Sequence, residues 1–237
     1  MVRITPGAAA GLAGQVVVLA GLAATVELSD LGGLIGLWYG VVVCLLLSRG
    51  LDRPGQRQLG AANGVTLARA TLVGGVAALV VTSIEQPVPV AVLVPLAIAA
   101  LALDAVDGLV ARRTGTVSEL GARFDYEVDS VLLVVLSAYA AGTYPAWVLA
   151  IGLMRYAFVA AGWVLPWLRG PLPPRYWRKV VAAIQGVVLV AAVSGVFPRP
   201  LMVAVLAASL ALLAESFGRD IAWRWRHRLS PATVVAA

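Results

Sequence analysis

Four aspartates stand close together between Asp104 and Asp129, in the stretch D-A-V-D-G-L-V-A-R-R-T-G-T-V-S-E-L-G-A-R-F-D-Y-E-V-D. Asp104 and Asp107 are three residues apart, and Asp125 and Asp129 are four apart. On a helix each pair shares one face. Two such helices joined by a short loop bring both pairs to the same end of the bundle, where four carboxylates repel unless a cation neutralises them. Oxygen-only donors suit magnesium, manganese or calcium, and the sequence has no His/Cys cluster of the kind that binds zinc. Two such ions can clamp a diphosphate and stabilise charge on the attacking and leaving oxygens of a phosphoryl transfer. Gly108 and Ala111 leave room beside the first pair for a flat group. Gly121 permits close helix approach before the second pair, and Arg112 is placed to meet a phosphate.

The elements that must position these acids are membrane helices. The chain has 237 residues, 61% hydrophobic and 13% charged, whereas soluble domains carry about 25% charged residues. Long apolar runs in lipid must be helical to satisfy their backbone groups, and the apolar residues do not alternate with polar ones as barrel strands require. The fold class expected is all-α, a polytopic transmembrane bundle of about eight helices. The spans fall near Ala8–Leu28, Leu31–Ser48, Asn63–Ser83, Val88–Gly108, Ala122–Gly142, Ala146–Leu168, Val180–Phe197 and Leu201–Phe217. Pro54-Gly55, Pro87-Val88-Pro89, Pro145, Pro171, Pro173-Pro174 and Pro198-Arg199-Pro200 punctuate them. A secretory signal peptide at the N-terminus is the alternative for the first span, but that apolar stretch is long for a signal and a second span follows at once.

Charge orients the bundle. The net charge is +6, and the basic residues gather in alternate loops: Arg49, Arg53 and Arg57; Arg112, Arg113 and Arg123; Arg169, Arg175, Arg178 and Lys179; and a tail with Arg219, Arg224, Arg226 and Arg228. The opposite loops hold Arg199 beside acids such as Asp30 and Glu85. The positive-inside rule then places both termini and the aspartates on the cytoplasmic side of a cell membrane. The tail Trp223-Arg224-Trp225-Arg226-His227-Arg228 follows a span, so interfacial anchoring on anionic lipid explains it better than nucleic-acid binding. Cys44 is the single cysteine, which leaves no disulfide and no cysteine metal site within the chain.

The acidic stretch resembles the signature of the CDP-alcohol phosphatidyltransferase family, D-x2-D-G-x2-A-R-x8-G-x3-D-x3-D. Asp104, Asp107, Gly108, Ala111, Arg112, Gly121, Asp125 and Asp129 fill every fixed position. Upstream, Asn63, Thr66 and Arg69 are similar to the family's N-x-x-T-x-x-R. Downstream, Lys179 and Gln185 are similar to a K-x-x-T-x-x-Q pattern in which Ala182 replaces the threonine. The resemblance spans Asn63 to the last helix. It implies residues 59–218 as a six-helix core, residues 1–58 as two additional helices, and residues 219–237 as a basic tail. By position it implies that Asp104, Asp107, Asp125 and Asp129 hold magnesium or manganese, as two ions, with Asp129 also the general base. Asn63, Thr66, Arg69, Gly108, Ala111, Arg112 and Ser118 fall at donor-binding positions. Arg155, Lys179 and Gln185 fall where an acceptor would bind. Glu127, two residues from Asp125 and from Asp129, points to the opposite helix face and is set to pair with an arginine or to face a neighbouring subunit.

The activity implied is transfer of a substituted phosphate from a CDP-linked donor, CDP-diacylglycerol in the favoured reading, to a polar or phosphorylated alcohol, with release of CMP. A CDP-alcohol donor with a lipid acceptor uses the same motif. A divalent-cation transporter is the rival outside enzymes, but transporter acids lie more often near the midplane, in broken helices. The partners implied are the CDP-linked lipid, the alcohol, membrane lipids and a second copy in a homodimer, with no nucleic acid.

Overall fold

The computed structural model describes residues 6–51, 61–114, 119–169 and 176–227; within these, the side chains at 6, 49–51, 61–63, 107–114 and 119–120 lie outside the description. Eight helices and no strand occur among the described residues: α1 (Pro6–Thr25), α2 (Asp30–Leu51), α3 (Ala61–Glu85), α4 (Val90–Thr114), α5 (Glu119–Ala141), α6 (Leu149–Val164), α7 (Tyr176–Ser194) and α8 (Arg199–His227). Six of them, α1, α2, α3, α6, α7 and α8, are long and apolar enough to cross a membrane. Within the described side chains α4 contributes the apolar run Val90–Val106, and α5 falls outside the set because Arg123, Asp125, Glu127 and Asp129 crowd its first half.

α3 is the central element, packed against α1, α2, α4 and α5. Small residues let it be central. Gly32, Gly36 and Gly40 form one buried stripe along α2. A Cβ at Gly36 would come within 3.0 Å of Ala78 Cβ and 3.2 Å of the Gly74 carbonyl on α3. At membrane depth such stripes allow the close backbone packing that replaces a hydrophobic driving force. α5 and α6 meet in the same way, for a Cβ at Gly152 would lie 2.6 Å from Val134 Cα. Between these contacts the interior is filled by Leu79, Leu93, Leu132, Leu136, Ile151, Leu189 and Leu206.

Local chemistry explains the breaks. Pro87 and Pro89 separate α3 from α4, with the Pro89 carbonyl accepting from the Val92 and Leu93 amides. Gly195, at φ 65°, follows α7 in the left-handed conformation that closes helices at low cost. Pro166 ends the expected span Ala146–Leu168 early, so α6 stops at Val164 and residues 166–168 form a single 3-10 turn. α8, by contrast, passes the expected end at Phe217 and continues to His227. An ion pair between Glu215 and Arg219, one turn apart, supports this extension, as does the pair of Arg178 with the buried Asp220, 3.7 Å apart. Trp225 of this extension packs edge-on against Trp167, with ring centroids 5.2 Å apart.

Candidate active site

Three of the four predicted aspartates converge. Asp104 from α4 and Asp125 and Asp129 from α5 each offer a carboxylate oxygen, and the three oxygens lie within 4.8 Å of one another. They are partly open, with side chains 42%, 35% and 35% exposed respectively. Asp125 and Asp129 share a face because they are one turn apart. Asp104 reaches the same point because α3 holds α4 and α5 on either side of it.

The group that joins them is Arg69 of α3, 1% exposed. Its Nη1 donates to Asp104 Oδ1. Its Nη2 lies 2.6 Å from Asp125 Oδ1 and 3.3 Å from Asp129 Oδ1, and donates to the Asp125 backbone carbonyl at 3.0 Å. A buried guanidinium is tolerated only when paired in this way, and its planar fork suits several carboxylate oxygens at once. Three carboxylates and one guanidinium leave a formal charge of −2, which a divalent cation cancels. All three donors are hard carboxylate oxygens gathered within 4.8 Å, a donor set that fits a hard divalent ion such as magnesium or manganese.

The other predicted positions fall into three groups. Thr66 is buried on α3, one turn before Arg69 and on the same side. Asp107, Gly108, Ala111 and Arg112 continue α4, and Asn63 lies in the first turn of α3, but their side chains lie outside the described residues, as does Ser118 altogether. The third group has other partners. Arg155 of α6 pairs with Glu127 at 2.6 Å, donates to the Tyr126 carbonyl at 2.8 Å and to the Ser130 hydroxyl, and sits over the Tyr126 and Tyr156 rings. The Gly152 contact makes this possible, since it draws α6 onto α5 one turn away. Gln185 of α7 is fully buried and donates to the Ser209 carbonyl of α8 at 2.9 Å. Lys179 is exposed near the start of α7.

Sequence reasoning placed Arg69 near the donor but missed that it ties all three carboxylates together. The available signal was a lone arginine eight residues into a long apolar helix, which must find acids to pair with.

A membrane-embedded helical bundle that gathers three carboxylates able to hold a metal ion defines a class of integral membrane protein with a partly buried polar site. The model of the CDP-alcohol phosphatidyltransferase family matches residues 59–214, and the chain belongs to that family, as a multi-pass membrane protein. It is similar to the archaetidylinositol phosphate synthase of Aeropyrum pernix, with 41% identity over 83 residues, which cover 34% of this chain and 39% of that protein. No solved structure matches the chain significantly.

Proposed function

We propose that this protein transfers a phosphatidyl-type group from a CDP-linked lipid, CDP-diacylglycerol in the first instance, to the hydroxyl of a polar or phosphorylated alcohol, releasing CMP. The observation that carries the reading is the convergence of Asp104, Asp125 and Asp129 on Arg69 within a chain of this family. Asp104, Asp125 and Asp129, with Asp107 from the signature, would hold magnesium or manganese, as two ions. When bound, the metal supplies charge neutralisation for the donor diphosphate.

The chain's own residues do the rest. Arg69 keeps the three carboxylates at one point without spending their exposed edges. Asp129, 35% exposed, accepts the proton of the acceptor hydroxyl as its oxygen bonds to the lipid-bearing phosphorus. The bond from that phosphorus to the bridging oxygen breaks, and CMP departs with the bridging oxygen and its charge. Arg112, with Asn63, Thr66, Gly108, Ala111 and Ser118, is assigned to the nucleotide end. Arg155, Lys179 and Gln185 are kept as acceptor positions, Lys179 foremost because it is exposed. Residues 59–218 form the family core in this reading, residues 1–58 an addition and residues 219–237 a tail. The active site faces the cytoplasm, and the protein works as a homodimer.

An acidic acceptor suits the basic residues around Lys179. The similarity to an archaetidylinositol phosphate synthase puts inositol phosphate beside glycerol phosphate among the acceptors to try first. The test is CMP release by the purified full chain in detergent with CDP-diacylglycerol, magnesium or manganese, and a panel of alcohols and phosphorylated alcohols. Acceptor-dependent release that requires the divalent ion and disappears in Asp129→Asn supports the reading. If CMP appears only when a CDP-alcohol replaces CDP-diacylglycerol, the donor and acceptor exchange roles. Cation flux into vesicles without CMP release overturns the enzyme in favour of a transporter.

A further inference from the structure

The additional helix α2 lies beside the site. Gly32 of α2 faces Ala78 and Thr82 of α3, and Gly36 faces Gly74 and Ala78. Four residues forward along α2 are thus four residues back along α3, an antiparallel register that brings the stretch around Gly40 level with Ala70 to Gly74, about one turn from Arg69. Tyr39 is in that stretch, packed against the core. Its phenol is within electrostatic reach of Arg69 and of Tyr156 on α6. The Tyr39 hydroxyl is buried and has no hydrogen-bond partner among the described residues, and the same holds for the Nε of Arg69. Buried polar groups are rarely left unmatched, since each costs about 1–3 kcal/mol. One is an obligate donor, and the other can accept.

We propose that Tyr39 is a positioning residue for the site. Its hydroxyl accepts from a single water that in turn accepts from Arg69 Nε, and so fixes the plane of the guanidinium whose other two nitrogens hold Asp104, Asp125 and Asp129. The inference rests on reading that cluster as the metal-holding site, and it gives the additional helices a task in the chemistry. α2 is held firmly enough for this. Its glycine stripe seats on α3, and α1 closes over it, with Gln15 of α1 in contact range of Gly40 and Gly74. A loosened guanidinium lets the carboxylates part, which weakens divalent-ion binding.

The test uses the full chain in detergent, with Mn2+ titrated and the free ion followed by electron paramagnetic resonance. Tyr39→Phe removes the hydroxyl and keeps the ring. The expected result is a rise of roughly 10–100-fold in the Mn2+ dissociation constant, the range seen when outer-shell partners of metal ligands are lost. The thermal midpoint measured without added metal should fall as well, because Arg69 Nε loses its partner, and the Arg69→Lys background separates that cost from the loss of Mn2+ affinity. In an Arg69→Lys background, where the fork is already gone, Tyr39→Phe should add nothing. Unchanged Mn2+ affinity in Tyr39→Phe overturns the proposal, as does an equal further loss in the Arg69→Lys background. Failure of the wild type to bind Mn2+ overturns it as well. Should Tyr39→Phe unfold, Tyr39→Trp, with a ring and a donor but no acceptor, takes its place and should weaken Mn2+ likewise. A wild type that binds Mn2+ yet releases no CMP counts against the transferase reading alone, and the Mn2+ comparison still decides the role of Tyr39.

Discussion

Arg69 and the three aspartates depend on one another. The guanidinium is tolerated at 1% exposure because carboxylates surround it, and the carboxylates can approach within 4.8 Å because the guanidinium neutralises part of their charge. Arg69→Leu should therefore lower stability by about 1–3 kcal/mol, less than the 3–5 kcal/mol seen for fully buried pairs, because the carboxylates are 35–42% exposed and partly solvated. Thermal unfolding in detergent measures this, and added Mn2+ should restore part of the loss. For catalysis, Asp129→Asn should reduce CMP release about 10²–10⁴-fold, the usual worth of a general base. Ser118→Ala should cost about tenfold or less. A reversed ranking of these two variants would remove Asp129 from the base role. Most of these residues were legible from type and spacing alone. A pair three apart and a pair four apart have one helical reading, and acids in apolar helices demand partners. The identity of the partner was not legible, because Arg69 lies 35 residues before Asp104 and nothing local links them.

Among the elements, glycines decide which helices can touch. Gly152 carries α6 onto α5 and brings Arg155 to Glu127 and Ser130. A Cβ there would meet backbone at 2.6 Å, which no rotamer can relieve. Gly152→Val is expected to destabilise the bundle by at least about 1–3 kcal/mol, the cost of overpacking, and to reduce CMP release through the displaced α5. Thermal unfolding and the CMP assay on the same preparation check both parts. The helix ends show where local signals suffice. Pro87, Pro89 and Gly195 stop helices where turn chemistry says they should, whereas α8 runs ten residues beyond Phe217 to His227. Gly218 alone does not end a helix, and the pair of Arg178 with Asp220 from another helix keeps this one going. That contact is tertiary, and no reading of α8 by itself contains it.

For the whole molecule, the asymmetry of arginine and lysine between alternate loops predicts a direction in the membrane. Cys44 is the single cysteine, so Cys44→Ser gives a cysteine-free background for mapping it. A cysteine placed at Ser230 should react with an impermeant maleimide only from the cytoplasmic side, and one placed at Gln86, between α3 and α4, only from the opposite side. Labelling with the reverse pattern would move the active site to the other face of the membrane. Composition, apolar run length and the spacing of eight signature residues determined a helical membrane protein of this family and marked its acidic site, because lipid admits few backbone solutions and acids three or four residues apart share a helix face. Tertiary structure alone decided that Arg69 is the hub of the site, and that Arg155 turns to Glu127 and Gln185 to Ser209. Each of these pairings joins residues more than 20 positions apart, and only the close packing of glycine-lined helices brings them together.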